Sequence, residues 1–375
     1  MNTLRRNFGY VYYVIPFLVD SPNVKNKIGI IFSLLRNNES INLKLNNIKI
    51  KFSLSQFKTF LNIIGLIKFS TSYSIDENYD FKISLDEENY FDFNLKNLNF
   101  EDENLLELLF EGVKHGANFI NGEKQRDFPI RDKTLRILTL NDKKIVETAN
   151  GLKFFIDSIL PGVTIVEPFV QNAHQINEND DWDNKVVLDI GAQCGDTPLY
   201  YASKGATVYA FEPIKGHYEA MIRNIEINSE LKNKINPMNA AMGKDEILTF
   251  YQSNKSEIAG MPSFVYNSFG KDAKITKIQG YSLSSIYEKF QLKHIDLLKM
   301  DCKGCEFFVN KDELDIVDVV KIEYLADGNE HTLNELTQVL KSKGFEIIIY
   351  RIDPFQRVSN NENATIYAKR PIWQN

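Results

Sequence analysis

Hydrophobic and polar positions change period several times along this chain. Ile41, Leu43 and Leu45 alternate with polar residues, Asn46-Asn47 can turn, and Ile48, Ile50 and Phe52 alternate again. A period of two on both sides of a turn predicts a β-hairpin. Residues 56–68 shift to helical spacing through Phe57, Phe60, Leu61 and Ile64, with Ser55 as the expected N-cap. Strand-like stretches come next at 81–85 and 90–95, and residues 101–119 read as a helix with the acidic start that its dipole favours. These elements predict a small α+β domain over residues 1–134, closed by a polar, turn-rich linker at 120–134 that contains Asn121-Gly122. Residues 135–375 are then a second domain.

The second domain opens with a hairpin over 144–156, turning at Asn150-Gly151. Its next run, Val186-Val187-Leu188, is short, continuously apolar and β-branched, which is how a strand buried on both faces of a parallel sheet reads. A helix over 197–202, stopped by Lys204-Gly205, leads to a second such run at 207–211. Strand, glycine loop, helix and strand within about 30 residues make a βαβ unit. Further alternation predicts a helix at 218–228, a strand at 235–241, a hairpin of 247–252 with 275–281, and a helix at 283–290. Strands at 295–300 and 317–324, a helix at 333–343, and strands at 345–350 and 364–369 complete the series, the last two as an antiparallel edge. The expected class is α/β, a Rossmann-like doubly wound and mostly parallel sheet. The long stretch 253–272, with Gly260-Met261-Pro262, is a candidate lid segment.

Candidate chemistry gathers in the loop after the first buried strand, Asp189-Ile190-Gly191-Ala192-Gln193-Cys194-Gly195-Asp196. In an open α/β sheet a ligand binds where such a loop leaves the carboxyl end of its strand. Glu212 ends the second strand 23 positions after Asp189, near the roughly 20-residue offset at which an acid reaches ribose hydroxyls. The Gly-x-Gly-x-x-Gly frame that closes on a pyrophosphate is missing, as is a Walker lysine, which argues against a nicotinamide dehydrogenase. A ligand with ribose and no phosphate fits better, and S-adenosylmethionine is such a ligand.

Composition changes this picture little. The chain has 375 residues, 43% of them hydrophobic and 12% aromatic, an ordinary globular mixture. Its net charge of −6 provides no overall basic field for a nucleic acid. The apolar segment 8–19 comes after Arg5-Arg6 as a signal peptide would, yet it contains Pro16, has no small-residue cleavage site, and is too short to span a bilayer. A buried element at the domain edge is expected there, in a soluble cytoplasmic protein. Three cysteines do not make a disulfide framework.

A second cluster ends the strand at 295–300: Lys299-Met300-Asp301-Cys302-Lys303-Gly304-Cys305-Glu306. Together with Asp189-x-Gly191-x-x-x-Gly195, Phe211-Glu212-Pro213 and Ser282-Leu283-Ser284-Ser285-Ile286, it resembles the FkbM-type methyltransferases over roughly residues 146–370. Members of that family carry Lys-x-Asp-x-Glu-Gly-x-Glu after a Ser-Leu-x-x-Ile stretch; here Lys303 replaces the first Glu, and Cys302 and Cys305 flank it and the glycine. The resemblance implies S-adenosylmethionine-dependent O-methylation of a hydroxyl on a small molecule, sugar or lipid headgroup. It implies a cofactor set of Asp189, Gly191, Gln193, Gly195, Asp196, Glu212, Asn239 and Ala240. Asp189 and Gly191 would line the methionine end, Glu212 the ribose, and Asn239 the adenine.

A hydroxyl acceptor needs position and a base. Asp301, Glu306 and Glu323 are the catalytic candidates, each at a strand end facing the same crevice. A carboxylate there also serves as a helix cap. His331 reads as a solvated residue at a helix start. Cys302-Lys303-Gly304-Cys305 forms a Cys-x-x-Cys frame, and with Cys194 it suggests three thiols converging as a redox switch or soft-metal site. Two rival functions stay open. One is an RNA methyltransferase whose first domain delivers substrate, although residues 76–102 are rich in acids. The other is an adenosine-ligand binding protein without turnover. The sequence is silent on oligomeric state.

Overall fold

The computed structural model describes residues 11, 14–18, 24–36, 39–45, 47–122, 133–175, 181–252, 274–302, 304–324, 331–350 and 364–371. The chain divides into two compact units, Met1–Ala173 and His174–Asn375.

In the first unit, Val14 and Leu18 of the apolar N-terminal segment are buried. Helix α1 (Lys27–Leu35) precedes the expected hairpin of β1 (Ser40–Leu45) and β2 (Ile48–Ser53), in which Leu45 faces Ile48. The capping residue is Ser53 rather than Ser55: it forms a capping box with Gln56 over a single 3-10 turn that leads into α2 (Phe57–Phe69). Next comes a three-stranded antiparallel sheet of β3 (Ser72–Ile75), β4 (Asp80–Ser84) and β5 (Tyr90–Asn94). Its first strand, Ser-Tyr-Ser-Ile, is too short and polar to stand out in the sequence.

Helix α3 (Phe100–Lys114) starts at Asn99, whose side chain accepts the Asp102 N–H at 2.9 Å. The expected helix to residue 119 stops early. Gly116 has φ +83°, and the Ala117 N–H turns back to the Gly112 carbonyl at 2.8 Å, the closure that ends helices at a left-handed glycine. Phe119 instead lies in β6 (Asn118–Asn121), which pairs in parallel with β7 (Thr134–Leu140). Antiparallel β8 (Lys143–Glu147) and β9 (Lys153–Phe155) extend that sheet, with the turn at Gly151, φ +85°. Residues 120–134 thus connect two strands of one sheet; 123–132 lie outside the described residues. The boundary falls at 173/174 and not at 134/135.

The second unit contains β10 (Val186–Ile190), α4 (Asp196–Ser203), β11 (Thr207–Phe211), α5 (Lys215–Ile227), β12 (Ile235–Met238) and β13 (Ala241–Met242). It continues with β14 (Ile247–Gln252), β15 (Lys274–Tyr281), α6 (Leu283–Phe290), β16 (Ile295–Met300), β17 (Val317–Tyr324), α7 (Leu333–Ser342), β18 (Glu346–Tyr350) and β19 (Ala364–Lys369). Seven strands form one mixed sheet in the order β12-β11-β10-β16-β17-β19-β18. The first five run parallel, and β19 is antiparallel to both β17 and β18. The order reverses between β10 and β16, so the loops leaving those two strands define the crevice. The strand expected over 235–241 divides: β12 stays in the main sheet, while β13 joins β15 and β14 in a small second one. The candidate lid, 253–272, lies outside the described residues.

Gly65 of α2 sits against the Phe110 ring of α3, which a Cβ at 65 would overlap. Alanine would gain roughly 1 kcal/mol of helix propensity, but overpacking costs about 1–3 kcal/mol. Gly65→Ala should therefore lower the stability of the first unit in urea unfolding; a rise would show that the two helices separate at little cost.

Candidate active site

The turn after β10 is built by backbone bonds to the end of β11. The N–H groups of Gly191 and Ala192 both donate to the Phe211 carbonyl, at 2.9 and 3.0 Å. The Glu212 carboxylate is 4% exposed; Oε2 accepts the Gln193 N–H at 2.9 Å and Oε1 the Ile214 N–H at 2.8 Å. His217 Nδ1 lies 3.6 Å from Oε1. Glu212 is thus held against the glycine turn by backbone donors from both sides. A carboxylate has about four lone-pair sites, and these two backbone donors and His217 hold Glu212 in one orientation.

The two glycines are required by geometry. Gly191 has φ +84° and Gly195 φ +88°, a region that side chains other than glycine rarely adopt. A Cβ at 191 would overlap the Asp301 carbonyl, and one at 195 would meet Met221. Asp301 in turn donates its N–H to the Ile190 carbonyl at 2.9 Å. The sequence therefore folds the loops after β10 and β16 directly onto each other. Asn239 ties in β12 by donating to the Glu212 and Pro213 carbonyls, at 2.9 and 3.1 Å, and Ala240 beside it is buried.

Asp189 lies beneath this surface. Its side chain is fully buried; Oδ1 meets Lys299 Nζ at 2.8 Å, and Oδ2 accepts the Thr197 hydroxyl. That corrects the expectation that it lines the crevice: the carboxylate supports the turn from below. Burial alone would lower the Lys299 ammonium, but Asp189, Asp301 and Asp196 outweigh it and hold Lys299 above the ordinary lysine range. Asp196, at the start of α4, is pushed up to about 7 by burial, with Asp189 adding to the rise and Lys299 opposing it.

Strand register extends the row. Asp189 faces Lys299, Lys299 faces Lys321, and Lys321 faces Tyr367. Lys321 Nζ is 2.6 Å from His174 Nδ1. Burial and the neighbouring Lys299 push Lys321 down to about 8, against the pull of Glu323, Asp301 and Asp189. Burial and both lysines hold His174 well below the usual histidine range. The sequence reading missed Lys299, Lys321, Thr197 and His174 as parts of the site. A lysine inside an apolar parallel strand was the available signal, because an uncompensated charge is too costly there.

Among the catalytic candidates, Asp301 and Glu323 are partly exposed on the face of this row. Glu306 is 3% exposed and accepts the Gly304 N–H at 2.8 Å. His331 is exposed, stacked on Phe307 at 4.7 Å, and 3.3 Å from Glu335. Lys303 lies outside the described residues. The three-thiol expectation is not met: Cys302 and Cys305 form a disulfide with each other, and Cys194, which is buried, is outside it. Two further sets of potential ligands lie close together, Cys302-Cys305-Glu306 and His294-Asp296-Asp318. In the first the sulfurs are spent on each other; in the second Asp296 already meets Lys185 at 3.1 Å and the Val186 N–H at 2.8 Å. Among the described residues no helix is long and apolar enough to cross a membrane.

The glycine turn, the acid ending the next strand and the carboxylates after β16 and β17 thus meet at one end of an α/β sheet. Residues 189–347 match the family model described as the methyltransferase FkbM domain. Over these residues the chain resembles the FkbM methyltransferases. Among solved structures, the FkbM methyltransferase of Methylobacillus flagellatus KT is similar at 13% identity and TM-score 0.34, over 50% of this chain and 44% of that one. The chain thus spans less than half of that structure's length. M. jannaschii TYW2, solved in complex with AdoMet, is similar at 15% identity and TM-score 0.33, over 63% of this chain and 85% of that one. The magnesium protoporphyrin IX methyltransferase of Synechocystis PCC 6803, with bound SAM, is similar at 12% and 0.30, over 51% and 73%. Comparison with curated proteins gives no match.

Two outcomes are expected. Lys299→Met leaves the Asp189 charge buried alone and should cost about 3–5 kcal/mol; adding Asp189→Asn should recover part of that loss in chemical denaturation, and additive losses would deny the pair. Between roughly pH 4 and 7 the native Asp196 keeps a proton that the unfolded chain has released, so its contribution to stability falls as pH rises through that window and is flat above it. Asp196→Asn should abolish that fall, and parallel stability profiles for the two proteins would contradict the assignment.

Proposed function

We propose that the second unit is an S-adenosylmethionine-dependent O-methyltransferase acting on a hydroxyl of a small molecule, sugar or lipid headgroup. The observation that carries the reading is Glu212: an acid at the end of β11, clamped to the glycine turn through the Gln193 N–H at 2.9 Å. Its carboxylate lies beside a turn that has no phosphate cradle, a position that suits a ligand with ribose hydroxyls and an uncharged linkage. Gly191 and Gly195 keep the turn low enough for a ligand to lie over it. Gln193 and Asp196 border that turn, and Asn239 and Ala240 border the adenine side. Asp189 acts on the ligand through the turn that it supports.

The cofactor supplies a methyl group on a sulfonium, a leaving group already activated. The chain has to align the acceptor oxygen with that methyl and to take the hydroxyl proton as the new C–O bond forms and the sulfur recovers its electron pair. Asp301 is the preferred base: its backbone is locked to Gly191 and Ile190, so its carboxylate has a fixed place beside the turn. Glu323 and Glu306 are further candidates for holding the acceptor. A net charge of −6 favours a neutral or cationic acceptor over RNA.

Calorimetric titration with S-adenosylhomocysteine tests the reading. Wild type should bind, Glu212→Ala should lose about tenfold or more in affinity, and Asp301→Ala should keep it. With an identified acceptor, Asp301→Ala should lower turnover by about 10²–10⁴. No binding by the intact chain at millimolar concentration would dismiss the proposal.

A further inference from the structure

The second unit holds a cavity of about 390 Å³ on the opposite face of the main sheet from the charged row. Its floor includes Met300, Val320 and Ile322, which alternate along β16 and β17 with Lys299 and Lys321. Successive strand residues point to opposite faces, so the sheet itself screens this cavity from both ammonium groups. Helix α7 forms the far wall through Leu336, Val339 and Leu340. Protein interiors tolerate few voids larger than a water molecule, whereas small-molecule pockets occupy about 300–1,000 Å³ and are mostly apolar with a few polar groups.

The rim has the polar groups such a pocket needs. Glu306, from the motif after β16, lines it with its carboxylate oriented by the Gly304 N–H. His331 and Glu335 line it as well, with Phe307 stacked on the imidazole at 26°. The Tyr324 hydroxyl fixes that wall by donating to the His331 carbonyl at 2.9 Å. No lysine or arginine is among the described lining residues. Two carboxylates with no guanidinium or ammonium disfavour a phosphate or carboxylate ligand.

We infer that this cavity is a binding site for an uncharged apolar ring or chain bearing a hydroxyl, with that hydroxyl at Glu306. Resting on the methyltransferase reading, the ligand is the methyl acceptor: the hydroxyl held at Glu306 is a recognition group, and the one to be methylated lies on the part of the ligand that would pass the end of β16 toward Asp301. The recognition is by shape and burial of apolar surface, and the acidic rim rejects anions.

The test uses the intact chain and N-phenyl-1-naphthylamine, a neutral apolar fluorophore. Wild type should bind it saturably at one site per chain. Val339→Trp, at the outer edge of the helix wall, should weaken binding by about tenfold or more. Leu336→Phe is a second filling variant, and Lys341→Trp on the same helix, outside the lining, should bind as wild type does. 1-Decanol should displace the probe far better than decanoate. S-adenosylhomocysteine affinity, measured in parallel, should be unchanged in Val339→Trp. A chain that binds the probe but not S-adenosylhomocysteine keeps the cavity and loses the acceptor role. Absence of saturable binding, equal effects of Val339→Trp and Lys341→Trp, or equal displacement by alcohol and carboxylate overturns the inference.

Discussion

The buried pair of Asp189 and Lys299 is the constraint on which the site depends. It joins β10 to β16 across the point where the strand order reverses, and Thr197 adds the start of α4 to the same carboxylate. Neither charge is tolerable alone at that depth. The strand register, the entry of the helix and the position of the glycine turn are therefore fixed together. Glu212 then clamps the turn from above through backbone donors, so a loop with no regular structure of its own becomes a rigid floor.

The main sheet separates two kinds of chemistry. One face carries Asp189, Lys299, Lys321 and Tyr367 in a single cross-strand row, with His174 packed on Lys321. The alternate residues of the same strands face an apolar core that opens beside α7. Charge is thus concentrated on one face of the sheet and apolar surface on the other. The period of two in β16 and β17 achieves this separation without an extra element.

Much of the second unit was legible in the sequence because its signals are local. Val186-Val187-Leu188, the Gly191 turn and the Glu212 offset describe a βαβ unit whose parts lie within about 30 residues, and the antiparallel pairing of 345–350 with 364–369 could be read from adjacent strand patterns. The first unit was less legible where tertiary pairing overrode local pattern. Phe119 continued the helical spacing of α3, yet Gly116 ended the helix and β7 claimed residues 118–121 as a parallel partner. The boundary error has the same origin, since a polar loop between paired strands reads like a linker. Glu212 and the glycine turn, both picked out by spacing, lie against each other in the structure. Lys299, Lys321 and His174 were missed because their meaning depends on neighbours up to 147 positions away.

The overlap that any side chain at Gly191 would make with the Asp301 carbonyl means that the floor and the opposite loop cannot be tuned one at a time. A shift of the loop after β16 would drag the glycine turn with it. Natural variation here should consequently come as paired changes, and a designer seeking new selectivity has more freedom in the helix wall of α7 than at either loop.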